Sequence, residues 1–162
     1  MQYYSRLMDY AVHITKYLLG ISLAIMTAVT VMEVVRRYLF GLSFPWAEEL
    51  VRFMLIWVTF VGGAAAFRSG GLVMLDLVTG RLPERAKLIL QLFTNTVVLV
   101  FLLFLFRNGI SYSLSPVIVN QNSAGLGISM TLPYMAIPLG FGLMILFSLE
   151  HYHRIISQLR KE

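Results

Sequence analysis

The sequence EVVRRYLFGLSFPWAEELVR, residues 33–52, separates two of the most apolar segments of this chain. Its six charged side chains, three acidic and three basic, are Glu33, Arg36, Arg37, Glu48, Glu49 and Arg52. Trp46 lies among them. A formally neutral cluster of charges between two long apolar segments indicates a turn that joins two membrane-spanning helices.

The composition is that of a membrane protein. Of the 162 residues, 58% are hydrophobic and only 13% are charged, and the mean hydropathy is +0.76. A soluble domain carries about 25% charged residues. The length accommodates about four spans of roughly 20 residues, without a separate soluble domain. The chain has no cysteine, which excludes disulfides and thiolate metal sites.

Four apolar segments without a charge predict the spans: residues 17–32, 53–67, 88–106 and 132–149. We predict an all-α membrane protein, one four-helix domain over residues 1–162, with spans at about 14–37, 47–67, 86–108 and 132–152. The first two segments are only about 24 Å and 22 Å long as helices, whereas the hydrocarbon core is about 30 Å thick. Both helices must therefore extend into the charged stretch, which places its charges at a similar depth.

The distribution of basic residues predicts the orientation. With four spans, the N-terminus, the 68–87 loop and the C-terminus share one side and carry nine of the 13 Lys and Arg residues. Cytoplasmic loops are enriched in Lys and Arg, so we predict that both termini are cytoplasmic and that the charged stretch faces outward. The first helix lacks a signal-peptide cleavage pattern, and we expect it to be retained. The 68–87 loop is apolar enough to form a short amphipathic segment at the interface.

The charged stretch allows two interpretations. At helical spacing, Glu33 can pair with Arg36 and Arg37, and both Glu48 and Glu49 can pair with Arg52. These would be structural ion pairs that end the helices at the interface. Alternatively, some of these groups face a partner helix or a lipid headgroup, because charge in a membrane usually faces protein or water. Trp46 is typical of an interface anchor in either case.

Small and polar residues within the spans predict helix packing. Gly62, Gly63 and Ala66 lie at the end of the second span, where small residues let helix backbones approach closely. Asn95 in the third span is expected to form a hydrogen bond across a helix interface. In the fourth span, Pro138 can bend the helix and Gly140 can pack closely against a neighbour.

No residues suggest catalysis or independent translocation. The three histidines, His13, His151 and His153, lie near the termini, and no metal-ligand or nucleophile pattern is visible. Transporters usually bind substrate near the bilayer midplane at broken helices or repeats. Here no acid or base lies at the middle of a span, and the two halves show no convincing repeat. The pattern favours a scaffold without catalytic, metal or substrate residues.

Several motifs carry a resemblance to a known family. They are Arg37, Phe40-Gly41, Trp46, Glu48-Glu49, Arg52, Trp57, the FVGGA run at 60–64, Arg68-x-Gly70, Pro133 and the IPLGF run at 137–141. This pattern resembles the small membrane subunit (Q subunit, DctQ-like) of TRAP transporters, the tripartite ATP-independent periplasmic transporters. One departure is Leu72, where family members commonly carry histidine, although Asp76 is kept.

The resemblance implies a three-part uptake system in a bacterial inner membrane. A periplasmic binding protein would capture an organic acid, such as a sialic acid or a C4-dicarboxylate. A large permease subunit would carry it with sodium by an elevator movement. The small subunit would hold the large one, contact membrane lipids and contribute to docking of the binding protein. It would need no cofactor, since sodium coupling is expected in the large subunit, and no nucleic-acid partner.

Two other functions remain open at this point. One is a self-sufficient small transporter of the four-helix multidrug type, which uses a membrane glutamate in its first helix. Glu33 is the only candidate for that role, and it lies at the end of its span beside two arginines. The other is a general membrane assembly factor, which would lack an obligate transport partner.

Overall fold

The computed structural model describes residues 2–69 and 83–159, and these residues are almost entirely helical. The helices are α1 (Gln2–Phe40), α2 (Pro45–Arg68), α3 (Glu84–Ser113), the short α4 (Pro116–Val119) and α5 (Thr131–Tyr134), and α6 (Ala136–Leu159). The described residues contain no strand, only one isolated bridge between Asn122 and Ser129. The predicted all-α class is therefore confirmed.

Four of these helical segments are long and apolar enough to cross a membrane, as predicted. They are Val12–Phe40, Pro45–Arg68, Arg85–Ser113 and Thr131–Gln158. The side on which the termini lie stays a prediction. The amphipathic segment predicted in the 68–87 loop falls largely on residues 70–82, which lie outside the described residues, as do Leu72 and Asp76.

The turn between α1 and α2 is short and has a clear local cause. Gly41 has a φ of +65°, a conformation that glycine adopts without steric cost, and its N–H donates to the carbonyl of Arg37 at 3.2 Å. Phe44 is extended, and Pro45 then occupies the first position of α2, where its fixed φ suits a helix and its missing N–H costs nothing. Residues 41–44 are therefore sufficient to join α1 to α2.

The long helices pack as an open row in the order α1, α2, α6, α3. A small core cluster joins α1, α2 and α6, formed by Val12, Ala64, Ala65 and Phe147. Ala64 is 0% exposed. Because the row does not close into a compact bundle, α1 and α3 at its ends keep many large apolar side chains exposed, among them Leu23 and Val31 on α1 and Phe93 and Phe104 on α3.

A proline accounts for the break between α5 and α6, inside the fourth span. The helical path is divided at Met135, three residues before Pro138, which has no N–H for the carbonyl of Tyr134. The hydroxyl of Ser113 lies 2.9 Å from that carbonyl oxygen and 2.7 Å from the carbonyl oxygen of Gly109 on its own helix. Ser113 therefore compensates for the missing backbone bond and ties α3 to the end of α5.

Candidate functional site at the α1–α2 turn

Glu33 connects α1 to the first residues of α2. Both carboxylate oxygens accept a hydrogen bond from the backbone N–H of Phe44, each at 3.1 Å. Phe44 occupies the N-cap position and has no side-chain group that could cap the helix. The carboxylate also places negative charge near the positive N-terminal end of α2. Glu33 therefore stabilises the turn from the helix before it.

Aromatic contacts surround this bond. The guanidinium carbon of Arg36 lies 3.4 Å from the centroid of the Phe44 ring, a cation–π contact. The Phe44 ring in turn packs against Trp46, with ring centroids 5.3 Å apart and tilted by 42°. Arg36 and Trp46 thus belong to one stacked group at the turn.

Glu49 lies on another side of α2 and binds the loop of residues 114–130. Its Oε2 accepts hydrogen bonds from the Ser123 hydroxyl and from the N–H groups of Gly125 at 2.9 Å and Leu126 at 3.1 Å. Its Oε1 accepts one from the N–H of Ala124 at 3.2 Å. Hydrogen bonds to an ionised group are roughly twice as strong as neutral ones. One carboxylate therefore holds four consecutive loop residues against the start of α2.

The loop approaches α2 so closely that residue 125 must be small. A Cβ added at Gly125 would lie 2.7 Å from the carbonyl oxygen of Pro45 and 2.9 Å from the Cα of Trp46. Both contacts are with backbone atoms, which cannot rotate away. The loop backbone and the first turn of α2 are therefore in direct contact.

The predicted ion pairs are wrong for the described residues. No salt bridge joins Glu33 to Arg36 or Arg37, or Arg52 to either Glu48 or Glu49. For Glu33 and Glu49, the physical reason is that backbone N–H groups in the turn and the loop need acceptors. Glu33 and Glu49 fill that need, and helical spacing does not reveal it.

Four of the six charged residues, Glu33, Arg37, Glu48 and Arg52, line a cleft of about 880 Å³ between α1 and α2. The other lining residues are Val29, Thr30, Val34, Tyr38, Ala47, Val51 and Leu55. The side chains of Arg37, Glu48 and Arg52 are exposed. The structure thus divides the cluster between the cleft, the aromatic stack and the Glu49 contact with the loop.

The glycines proposed for packing lie at helix contacts. Added Cβ atoms would meet Leu19 of α1 at 3.4 Å from Gly62, and Met144 of α6 at 3.2 Å from Gly63. From Gly140, a Cβ would lie 2.8 Å from the carbonyl oxygen of Phe60 on α2. The assignment of Ala66 is wrong within this chain, because its side chain is exposed, whereas the neighbouring Ala64 and Ala65 are buried.

Asn95 and Pro138 are also buried between helices. The amide of Asn95 donates to the backbone carbonyl of Ser148 at 3.1 Å, and its Oδ1 accepts from the Ser148 hydroxyl at 3.0 Å. This reciprocal pair joins α3 to α6. Pro138 packs against Gly109 of α3, where an added Cβ would lie 3.5 Å from the proline nitrogen.

Sequence reasoning missed an ion pair at the other end of α2. Arg68 donates from Nε to Oε2 of Glu150 at 3.0 Å and from Nη2 to Oε1 at 3.2 Å. The two side chains are only 13% and 9% exposed, and the guanidinium lies 5.6 Å from the centroid of the Phe147 ring. Opposite charges at the ends of the second and fourth spans, on the same predicted side, were the available signal.

Comparison with known proteins places the chain in a family. The profile described as "Tripartite ATP-independent periplasmic transporters, DctQ component" matches residues 26–158. The chain is 26% identical over 137 residues to the sialic acid TRAP transporter small permease protein SiaQ of Vibrio cholerae, covering 85% of this chain and 78% of that protein. It is 31% identical over 112 residues to the C4-dicarboxylate TRAP transporter small permease protein DctQ of Rhodobacter capsulatus, covering 64% and 46%.

A third relative is the isethionate TRAP transporter permease protein DctMQ of Oleidesulfovibrio alaskensis, 25% identical over 99 residues, covering 61% of this chain and 16% of that protein. The chain thus spans less than half the length of two of these three relatives. The family consists of transporter components and not of enzymes. The chain belongs to the DctQ component family of the tripartite ATP-independent periplasmic transporters.

Proposed function

We propose that this chain is the small, non-catalytic scaffold subunit of a sodium-coupled, binding-protein-dependent transporter in the bacterial inner membrane. The observation that carries the proposal is the open row of helices. The exposed apolar faces of α1 and α3 leave room for a larger membrane protein to pack beside them in the bilayer, while the middle of each span lacks an acid or base that could bind a substrate or ion.

The partner of these faces is a large, elevator-type permease subunit. The relative named DctMQ supports this, since the region that matches this chain makes up only 16% of a protein that is itself named a permease. A rigid scaffold suits an elevator because the transport domain must move against something fixed. The Asn95–Ser148 pair and the close approach of Gly140 to Phe60 supply that rigidity between α2, α6 and α3.

The loop of residues 114–130 and the α1–α2 turn form the surface that contributes to docking of a periplasmic binding protein. The contact of Glu49 with residues 123–126 fixes one to the other. A fixed surface costs less conformational entropy on association than a mobile one. On the predicted topology, this surface faces the periplasm, and Trp46 lies at its edge as an interface anchor.

The substrate class is an organic acid, of the sialic acid or C4-dicarboxylate type. This rests on the names of two relatives. The small subunit itself supplies no substrate contact, no cofactor and no sodium site, since both substrate and sodium bind in the large subunit.

Co-purification tests the scaffold function. The tagged chain, expressed with its transporter's large permease subunit, should retain that subunit through detergent extraction and gel filtration. A chain that elutes alone under conditions where the large subunit stays folded would contradict the proposal.

A self-sufficient transporter that uses Glu33 is disfavoured by the geometry, because the Glu33 carboxylate is bonded to the Phe44 N–H. Glu33→Gln keeps an oxygen that can accept this bond, so uptake by the complete transporter should stay within about twofold of the wild type. Complete loss of uptake with an intact complex would favour a proton- or substrate-carrying glutamate.

A further inference from the structure

The cleft between α1 and α2 has a length that suits one leaflet of a membrane. Its lining residues run from Val29 to Tyr38 on α1 and from Ala47 to Leu55 on α2. At 1.5 Å per residue, these stretches are about 14 Å and 12 Å long, roughly half of the 30 Å hydrocarbon core. A spanning helix of a partner would need a groove about twice as long.

The lining also changes from apolar to charged along the helix axes. Val29 on α1 and Leu55 on α2 lie at the end towards the middle of the spans. Arg37 and Tyr38 on α1, and Glu48 on α2, lie at the end towards the turn, with Glu33 and Arg52 between the two ends. An amphiphile with its polar group at the turn and a hydrocarbon chain towards the bilayer centre matches this order. The volume of about 880 Å³ lies within the range of about 300–1,000 Å³ for small-molecule sites.

The charges in the cleft specify the polar group. Arg37 and Arg52 have no acidic partner within the described residues, and a planar guanidinium binds phosphate oxygens in pairs. The Tyr38 hydroxyl is a further donor at the same end. Glu33 already accepts the Phe44 N–H. Glu48 is therefore the one carboxylate in the cleft whose hydrogen-bonding capacity is unused within the described structure.

We propose that this cleft binds one membrane phospholipid with a zwitterionic headgroup that carries a primary ammonium. The phosphodiester lies with Arg37 and Arg52, the ammonium with Glu48, and an acyl chain runs past Leu55 towards the bilayer centre. Both charges of the headgroup meet an opposite charge in the cleft, whereas an anionic headgroup would leave Glu48 uncompensated.

Native mass spectrometry of the purified full chain tests this site with two probes, phosphatidylethanolamine and phosphatidylglycerol. Arg37→Gln and Arg52→Gln should each weaken the binding of phosphatidylethanolamine about tenfold, because each removes charged hydrogen bonds to the phosphate. Arg107→Gln is the matched control, since Arg107 is exposed on α3, outside the cleft, and its loss should leave binding unchanged. Equal binding by all three variants, or an equal loss, would overturn the site.

The headgroup assignment has its own test. The wild type should prefer phosphatidylethanolamine to phosphatidylglycerol, and Glu48→Gln should abolish that preference. A preference that survives in Glu48→Gln would overturn the assignment.

Arg52→Lys keeps the charge and loses the paired geometry, so it should bind phosphatidylethanolamine with intermediate affinity. Unchanged helical circular dichroism shows that each variant folds. If the arginine variants retain lipid but lose the large permease subunit, the cleft binds a partner helix and the proposal is wrong.

Discussion

Charged side chains at the two ends of α2 have different kinds of partner. At the Arg68 end, the guanidinium and Glu150 form a paired contact with both side chains largely buried. At the Pro45 end, the carboxylates of Glu33 and Glu49 bind backbone N–H groups, and Arg37 and Arg52 stay exposed without an acidic partner within the described residues. At the Arg68 end, opposite charges within the chain bind each other. At the Pro45 end, the acids bind backbone N–H groups, and the two arginines are left for the proposed lipid headgroup.

The largest stability effect is expected at the Arg68 end. Glu150→Gln should lower the free energy of unfolding by about 3 kcal/mol, because it removes the negative charge that Glu150 places beside the largely buried guanidinium of Arg68. SDS titration followed by tryptophan fluorescence measures this. Glu48→Gln, an exposed glutamate at the opposite end of α2, is the control and should change stability by less than about 0.5 kcal/mol. An equal loss of unfolding free energy in the two variants would show that charge contributes no more to stability at the Arg68 end than at the Pro45 end.

A smaller effect is expected for Glu49. Glu49→Ala should lower the free energy of unfolding, but by less than Glu150→Gln does, since it removes the acceptor for several loop donors, among them the N–H of Leu126. Amide hydrogen exchange of residues 123–126 should accelerate at the same time. Glu48→Ala, one residue away, should leave exchange in that loop unchanged. Unchanged protection in Glu49→Ala would show that the loop is held by something other than this carboxylate.

The smallest effect is expected for Gly125. Gly125→Ala should destabilise the chain by about 1 kcal/mol, because the new methyl group meets the Pro45 backbone at 2.7 Å and the loop must shift. Gly20→Ala is the matched control, as a Cβ there has nothing within 4 Å, and alanine within a helix is favoured over glycine by about 0.5–1 kcal/mol. Thermal unfolding in detergent should therefore move in opposite directions for the two variants. A shift in the same direction would show that the loop does not lie closely against α2.

Much of the fold could be predicted because it depends on local composition. Long apolar segments fix the four candidate spans, and small residues at 62 and 63 mark the helix contacts. The partners of Glu49 could not be predicted, because they lie 74 to 77 residues away in a loop whose polar sequence has no periodicity. Helical spacing predicted Arg52 as the partner of Glu49 instead, because it considers only side chains on the same helix and not the backbone N–H groups of a distant loop. Likewise, Arg68 and Glu150 are 82 residues apart, and only the packing of α2 on α6 brings them together.

This chain is proposed to hold a transporter together without moving substrate itself. Uptake of a radiolabelled organic acid into liposomes under an inward sodium gradient tests it most directly, with three preparations: this chain alone, the large permease subunit alone, and both together, each with the periplasmic binding protein. We predict sodium-dependent uptake only with both membrane subunits present. Sodium-dependent uptake by this chain alone would contradict the account.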